Sequence, residues 1–260
     1  MATQLGVRAD RLSGVRALKT VKGRRERGRF AFEGATLLEE ARRSGVAIEE
    51  LYVTQGAYDA SPLVRELDAG GTPTFVVTGR SAESISDVAT PSGIVAVAPA
   101  RLYSTEEIFR AAHGVVAVLA DLNDPGNAGS LLRSADAFGA VGVLFGRLGV
   151  DPYHPKVVRG AMGALFRLKM GIADPPEAAA AATAAGFTVL GLRAGGERLA
   201  GVSWPARTAL VVGHERRGLD RWEPICERRI GIAMDGRADS LNAAIAGSIA
   251  LYEATKSAES

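Results

Sequence analysis

The chain has one cysteine, Cys226, in 260 residues. That excludes an intramolecular disulfide and any metal site built from several thiolates, and leaves Cys226 as a packing residue of its segment. Its three histidines, His113, His154 and His214, form no metal-ligating constellation. No apolar run approaches the roughly 18–20 residues that span a bilayer, and the basic N-terminus leads into no signal-peptide core. A soluble, cytoplasmic protein is expected. No strand is followed by G-x-G-x-x-G and no phosphate-loop pattern occurs, which excludes two familiar glycine-rich nucleotide sites. Internal repeats and low-complexity tracts are also missing.

What is present is enough for a packed core. Hydrophobic residues make up 47% of the chain and charged ones 23%, which suits two ordinary domains or one large one. The net charge of +2 is unevenly spread. Residues 1–30 carry nine basic side chains (Arg8, Arg11, Arg16, Lys19, Lys22, Arg24, Arg25, Arg27 and Arg29) against Asp10 and Glu26, a balance of +7. The remaining 230 residues balance at −5. A basic segment on a near-neutral body fits phosphate contact at one place, or else a solubilising helix.

Up to about residue 100 the pattern is that of a small α/β domain behind a basic helix over 8–22. "GRFAFEG" alternates as a strand over Arg29–Glu33, and "ATLLEEARRSG" is a helix closed by Gly45. "IEELYVT", "SPLVRELDAGG" and "TPTFVVTG" repeat strand, helix, strand, and "SGIVAVAPA" is a strand stopped by Pro99. A second unit follows, where Ser104 or Thr105 caps a helix with glutamates in its first turn. "GVVAVLADL" is the continuous apolar strand of a covered parallel sheet. A helix over 128–138, the strand "VGVLF", the small-residue-rich "HPKVVRGAMGALFRL" and the helix "DPPEAAAAATAAG" come next. The strands "FTVLGL" and "RTALVVG" and a last helix over 240–256 complete an α/β alternation of the doubly wound kind.

Parallel α/β sheets gather ligands at the carboxyl ends of their strands. Three such ends are chemically unusual: "DLNDPGNAGSLLRSADAFGA" (121–140), "LVVGHERRGL" (210–219) and "IGIAMDGRADSLNAAIAGSIALYE" (230–253). Glycines there permit positive φ and close backbone approach to a ligand. Arg133 and Glu215 are the strongest charged candidates. Asn127 reads equally as a helix cap, and so do Asp239 and Ser240.

The order and spacing of N-x-G-x-x-x-R ("NAGSLLR"), G-x-E-x-x-G-L ("GHERRGL") and the closing segment resemble the SpoU/TrmH family of RNA ribose 2′-O-methyltransferases. The front part, with "RRERGRFAFEG" and "TPSGIVAV", is similar to the ribosomal-protein-L30-like substrate domain of rRNA-modifying members. The resemblance implies an L30-like RNA-binding α/β domain over 1–100, a linker at 101–104, and a trefoil-knotted α/β methyltransferase domain over 105–260. It further implies S-adenosylmethionine as cofactor, a homodimer built through the C-terminal domain, and methyl transfer to a ribose 2′-hydroxyl of 23S rRNA. Neither a metal, a membrane nor DNA is expected to take part. A transfer-RNA methyltransferase and a non-catalytic ribosome-assembly protein are the competing readings.

By the same resemblance the catalytic residues are Asn127, Arg133, Glu215, Ser240 and Asn242. The cofactor is assigned to Leu190, Gly191, Gly213, Glu215, Ile232, Met234, Leu241 and Asn242, and RNA to Arg24, Arg25, Arg27, Arg29 and Arg133. Two positions depart from the family pattern: Ala161, where serine is common, and Ala233, where proline is usual.

Overall fold

A computed structural model describes residues 3–4, 9–214, 216–234, 236 and 240–256. The strands are β1 (Thr3–Gln4), β2 (Arg29–Glu33), β3 (Glu50–Thr54), β4 (Thr74–Val77), β5 (Ile94–Pro99), β6 (Gly114–Leu119), β7 (Gly142–Gly146), β8 (Met170–Ala173), β9 (Thr188–Arg198), β10 (Arg207–Val212) and β11 (Arg228–Gly231). The helices are α1 (Ala9–Ala17), α2 (Val21–Arg27), α3 (Ala35–Arg43), α4 (Gln55–Ala60), α5 (Pro62–Ala69), α6 (Gly79–Ile85), α7 (Thr105–Ile108), α8 (Pro125–Ala137), α9 (Pro155–Ala161), α10 (Pro175–Ala184) and α11 (Ala243–Lys256). They divide into two units, Met1–Arg101 with Tyr153–Phe166, and Leu102–Pro152 with Arg167–Ser260.

The first unit is a mixed sheet in the order β1-β4-β3-β5-β2, with β5 antiparallel to both of its neighbours. Leu12, Val15 and Leu18 pack against Tyr52, Phe75, Ile85 and Val97 in its core. The basic helix expected over 8–22 is in fact interrupted. Thr20 caps a new helix, its Oγ1 accepting from the Gly23 N–H at 3.0 Å. Gly23 must stay bare for the two helices to meet, because a Cβ there would lie 2.0 Å from the Ala17 carbonyl oxygen.

Tyr153–Phe166, which the sequence reading leaves in the C-terminal domain, is part of this first unit. Apolar rings account for that: Tyr153 stacks on Phe30 with centroids 4.4 Å apart, and Phe166 meets Phe32 at 5.2 Å. Arg159 adds an ion pair to Asp87 at 2.8 Å.

In the second unit every strand pairs in parallel, in the order β11-β9-β10-β6-β7-β8. The chain builds β6, β7 and β8 outward in one direction, then places β9, β10 and β11 on the other side. The boundary between β10 and β6 is thus a topological switch point, where open α/β sheets form a crevice. Ile108, Phe109, Phe187 and Trp222 are buried in its core. Helix α7 begins at Ser104, whose hydroxyl accepts from the Glu107 N–H while Glu107 accepts from the Ser104 N–H, a reciprocal capping box. Cys226 is buried, its thiol against the Trp222 carbonyl at 3.3 Å, and burial pushes its pKa up to about 12. A thiol so placed packs and does not react. Among the described residues, no helix is long and apolar enough to cross a membrane.

Candidate active site

Three strand ends of the second unit build the site. After β6 the chain turns sharply at Asp121, which has φ +53 and is buried. Its carboxylate accepts Arg221 Nε at 2.7 Å, Arg221 Nη2 at 3.1 Å, Trp222 Nε1 at 2.9 Å and the Leu148 N–H at 3.1 Å. Burial alone would raise its pKa, but these bonds outweigh that and hold the carboxyl below the usual carboxylate range. Arg221 continues to Asp174 at 2.9 Å, which also accepts Arg147 at 2.6 Å. The network clamps the ends of β6, β7 and β8 to the short helical turn at 220–225.

Beyond that clamp, Asp124 caps α8 by accepting the Asn127 N–H at 2.7 Å, and Pro125 occupies the first helical position. Asn127 is therefore not the cap, and the Asp-Pro pair is the sequence signal that says so. Its side chain is used elsewhere: Asn127 Oδ1 accepts Asn242 Nδ2 at 2.9 Å. Asn242 Oδ1 in turn accepts the N–H groups of Ala244 and Ile245 at 2.9 and 3.2 Å, making Asn242 the cap of α11. One asparagine thus closes a helix and joins the first strand end to the third. Ser240 is exposed and lies short of that cap, and Asp239 lies outside the described residues.

The second strand end is the turn after β10. His214 and Gly218 exchange both backbone hydrogen bonds at 2.8 Å, and Gly218 sits at φ +61. A Cβ on Gly213 would lie 2.4 Å from the Gly218 carbonyl oxygen, so the turn closes only over glycine. His214 Nδ1 accepts the Arg216 N–H at 3.1 Å, and its Nε2 lies 3.1 Å from the Asn123 amide. The second strand end is in this way tied to the first. Glu215, the acidic candidate of this turn, lies outside the described residues.

Between these turns opens a cleft of about 400 Å³, within the size range of small-molecule sites. Gly213, Ile232, Met234, Ser240 and Leu241 line it, four of them expected cofactor residues and Ser240 an expected catalytic one. Leu192, Arg193, Ala194 and Val212 complete the wall nearest β9 and β10. Leu190 and Gly191 are not on it. Leu190 is fully buried, and a side chain on Gly191 would run into Leu219 and Cys226 at 2.6–2.7 Å. The cleft begins at Leu192, one residue past Gly191, which is still paired on both sides within the sheet. Arg193 carries no signal in the sequence beyond its place at the carboxyl end of a parallel strand.

Arg133 is on the outer face of α8, between buried Leu132 and buried Ala135. It is exposed, and among the described residues it has no hydrogen-bond or ion-pair partner. The surface salt bridge that would make it a purely structural arginine is not formed with any described carboxylate.

The basic segment of the first unit behaves differently from a uniform phosphate-binding surface. Arg24 is 3% exposed and donates to the Leu18 carbonyl at 2.9 Å, so it closes α1 and offers nothing to a phosphate. Arg29 is paired with Glu49 at 2.6 Å. Arg11 pairs with Glu50 and lies 4.3 Å above the Phe75 ring, and Lys19 donates to the carbonyls of Ser84 and Ser86. Of the four N-terminal arginines expected to bind RNA, only Arg25 and Arg27 are exposed. Arg8 lies outside the described residues.

Known proteins share this arrangement. Residues 10–96 match the MRM3-like substrate binding domain. The 23S rRNA (guanosine(2553)-2′-O)-methyltransferase RlmP of Bacillus subtilis (strain 168) is 28% identical over 239 residues, covering 90% of this chain and 92% of that protein. The AdoMet-bound rRNA methyltransferase from Sinorhizobium meliloti superposes with a TM-score of 0.87 at 26% identity, over 98% of each chain. The SpoU methyltransferase AviRb from Streptomyces viridochromogenes, in complex with AdoMet, gives 0.86 at 29% identity, over 95% of this chain and 97% of that one. Residues 114–252 match the SpoU rRNA Methylase family, a span that takes in all three strand ends and the cleft between them. The chain belongs to that family.

Proposed function

We propose that the protein transfers a methyl group from S-adenosylmethionine to a ribose 2′-hydroxyl of RNA, and that the RNA is 23S ribosomal RNA in the cytoplasm. The observation that carries the reading is the Asn127–Asn242 bond at 2.9 Å beside the cleft, which draws two separate family motifs into one constellation. The cleft suits the cofactor in chemistry as well as size. Leu192, Val212, Ile232, Met234 and Leu241 offer an apolar wall for an adenosine, and the closed turn at 213–218 offers backbone groups. S-adenosylmethionine, when bound, supplies an electrophilic methyl group on a sulfonium.

The chain's own residues then have two tasks, alignment and charge stabilisation. Asn127, fixed by Asn242, orients the substrate backbone near the helix start; such positioning can lower a barrier by up to roughly 7–11 kcal/mol. Arg133 stabilises the negative charge that develops on the 2′-oxygen and holds the adjacent phosphate. A guanidinium has no acceptor when protonated, so Arg133 is not itself the base, and the 2′-hydroxyl proton leaves to the adjacent phosphate or to water. Among the described residues no carboxylate pairs with Arg133, which leaves its guanidinium available for this task.

Two further features belong to the reading. A trefoil knot in the C-terminal domain fits a chain whose β11 lies at one edge of the sheet while α11 returns to pack on α8, β6 and β10. A homodimer through α11 fits the exposed Ile245, Ile249 and Tyr252 on one face of that helix. RlmP supports the choice of 23S rRNA. The test is to map 2′-O-methylated riboses in RNA from cells with and without the protein. A methyl group lost from 23S rRNA supports the reading, and one lost only from transfer RNA, or none at all, overturns it.

A further inference from the structure

Among the described residues lining the cleft, Arg193 alone carries a permanent charge. Its guanidinium is held by one bond, Nη1 donating to Glu223 Oε1 at 3.1 Å. That same oxygen accepts Arg229 Nε at 2.8 Å, so two guanidiniums share one carboxylate and, among the described residues, the cluster keeps a surplus positive charge. Arg193 is 59% exposed and has no second partner among the described residues, so the rest of its donor fork is uncommitted. The backbone fixes where the arginine starts from. A Cβ on Gly231 would lie 2.6 Å from the Arg193 carbonyl oxygen, and one on Gly196 would lie 2.6 Å from the Ile230 carbonyl carbon. Strand β9 bulges here, its parallel pairing with β11 passing from Gly191 to Glu197, and the close backbone approach at Gly196 and Gly231 tolerates only glycine.

A ligand that fits the apolar wall of this cleft and also bears an anion would find its counter-charge in one place. We propose that Arg193 is the carboxylate-recognition residue of the cleft, binding the α-carboxylate of the methionine part of the cofactor while Glu223 holds the guanidinium in position. The inference rests on the S-adenosylmethionine reading above. A planar guanidinium pairs with a carboxylate through two parallel N–H bonds, a match that a lone ammonium cannot make. Leu192, Ile232 and Met234, which line the same cleft, offer a carboxylate no partner.

Calorimetry on the full-length protein separates this role from the alternatives. The probes are S-adenosylhomocysteine, which carries the amino-acid part, and methylthioadenosine, which lacks it. Arg193→Gln should weaken S-adenosylhomocysteine by about 10- to 100-fold, the range for removing a charge-assisted hydrogen bond, and leave methylthioadenosine unchanged. Arg193→Lys should recover part of the loss. Unaltered S-adenosylhomocysteine binding in Arg193→Gln overturns the proposal, and so does an equal loss for both probes, which would mean a distorted cleft. A loss of rRNA-fragment binding with S-adenosylhomocysteine untouched overturns it in favour of a phosphate partner. If the unsubstituted protein binds neither nucleoside, the cofactor reading itself fails, a result distinct from any of these.

Discussion

Arg133 and Asp121 are both charged groups that follow β6, and their surroundings set them opposite tasks. Arg133 is exposed and unpaired among the described residues, so Arg133→Ala removes no hydrogen bond or ion pair formed among them. The expected result is a fall in kcat of about two to three powers of ten, equivalent to about 3–4 kcal/mol of transition-state stabilisation, with cofactor affinity nearly unchanged. Arg133→Lys keeps the charge but not the fork and should restore part of the rate. Single-turnover methylation of the mapped site is the measurement.

Asp121 is buried under four hydrogen bonds, and Asp121→Asn should destabilise the protein by about 2–3 kcal/mol, less than the roughly 3–5 kcal/mol of a fully buried pair because Arg221 is still about one-third exposed. Its carboxyl is held below the unfolded value of roughly 3.9, so its contribution is complete above that pH and is lost as pH falls through the depressed folded value. Denaturation midpoints between neutral pH and strong acid should fall more steeply for the unsubstituted protein than for Asp121→Asn. Parallel pH curves would assign the acid sensitivity to other groups.

At the scale of elements, the three strand-end turns are legible because glycine, asparagine and aspartate are the residues that such turns require. What pattern does not supply is register and partnership. Strand β9 runs on through "RAGGER" beyond its apolar run, with Gly195 at φ +75 and the pairing with β11 jumping from Gly191 to Glu197 across a bulge. Leu190 and Gly191 accordingly fall inside the sheet, and Arg193 reaches the cleft in their place. The break in the basic helix is hidden for a related reason. Charge counted along the chain does not reveal that Arg24 points at a carbonyl, or that Thr20 restarts the helix.

Two glycine substitutions separate the glycines that geometry requires from those it does not. Gly231→Ala puts a Cβ against backbone at 2.6 Å and should cost about 1–3 kcal/mol, weakening cofactor binding with it. Gly14→Ala, inside α1 with nothing within 4 Å, should stabilise by about 0.5–1 kcal/mol. Thermal melts of both variants check the contrast. Equal destabilisation would mean that close approach at Gly231 is not what selects glycine there.

At the scale of the whole molecule, a +7 segment reads as an RNA-binding arm, yet much of it ties the first unit together. Arg25→Ala with Arg27→Ala should weaken rRNA binding and lower the log–log salt slope by about 0.7 for each phosphate no longer neutralised. Arg24→Ala should act differently, through stability, because its partner is the Leu18 carbonyl. Equilibrium binding at several salt concentrations distinguishes the two effects. The interleaving of the units is equally hidden, because Tyr153–Phe166 belongs to the first unit by its aromatic contacts and not by its position in the chain. A truncation starting at residue 105 would strand that segment, so ligand binding is better measured on the full chain.

The last helix presents the final test. The inner face of α11 is made of small residues and leucine, with Ala244, Gly247, Ala250, Leu251 and Ala254 buried, and a Cβ on Gly247 would press on Leu131 at 2.6 Å. Its other face carries Ile245, Ile249 and Tyr252, spaced by four and three residues and 54%, 39% and 47% exposed. That spacing aligns them on one stripe, and a helix with apolar groups on both faces has a second surface to bury. In a twofold dimer the stripe meets its own copy, so one substitution is felt twice in each interface. Ile249→Arg should therefore weaken self-association by roughly 30- to 700-fold, the equivalent of about 2–4 kcal/mol, while leaving the monomer's circular dichroism unaltered. Light scattering over a concentration series reads the outcome directly. A dimer that survives Ile249→Arg at the same dissociation constant would remove α11 from the interface and leave its apolar stripe exposed to solvent.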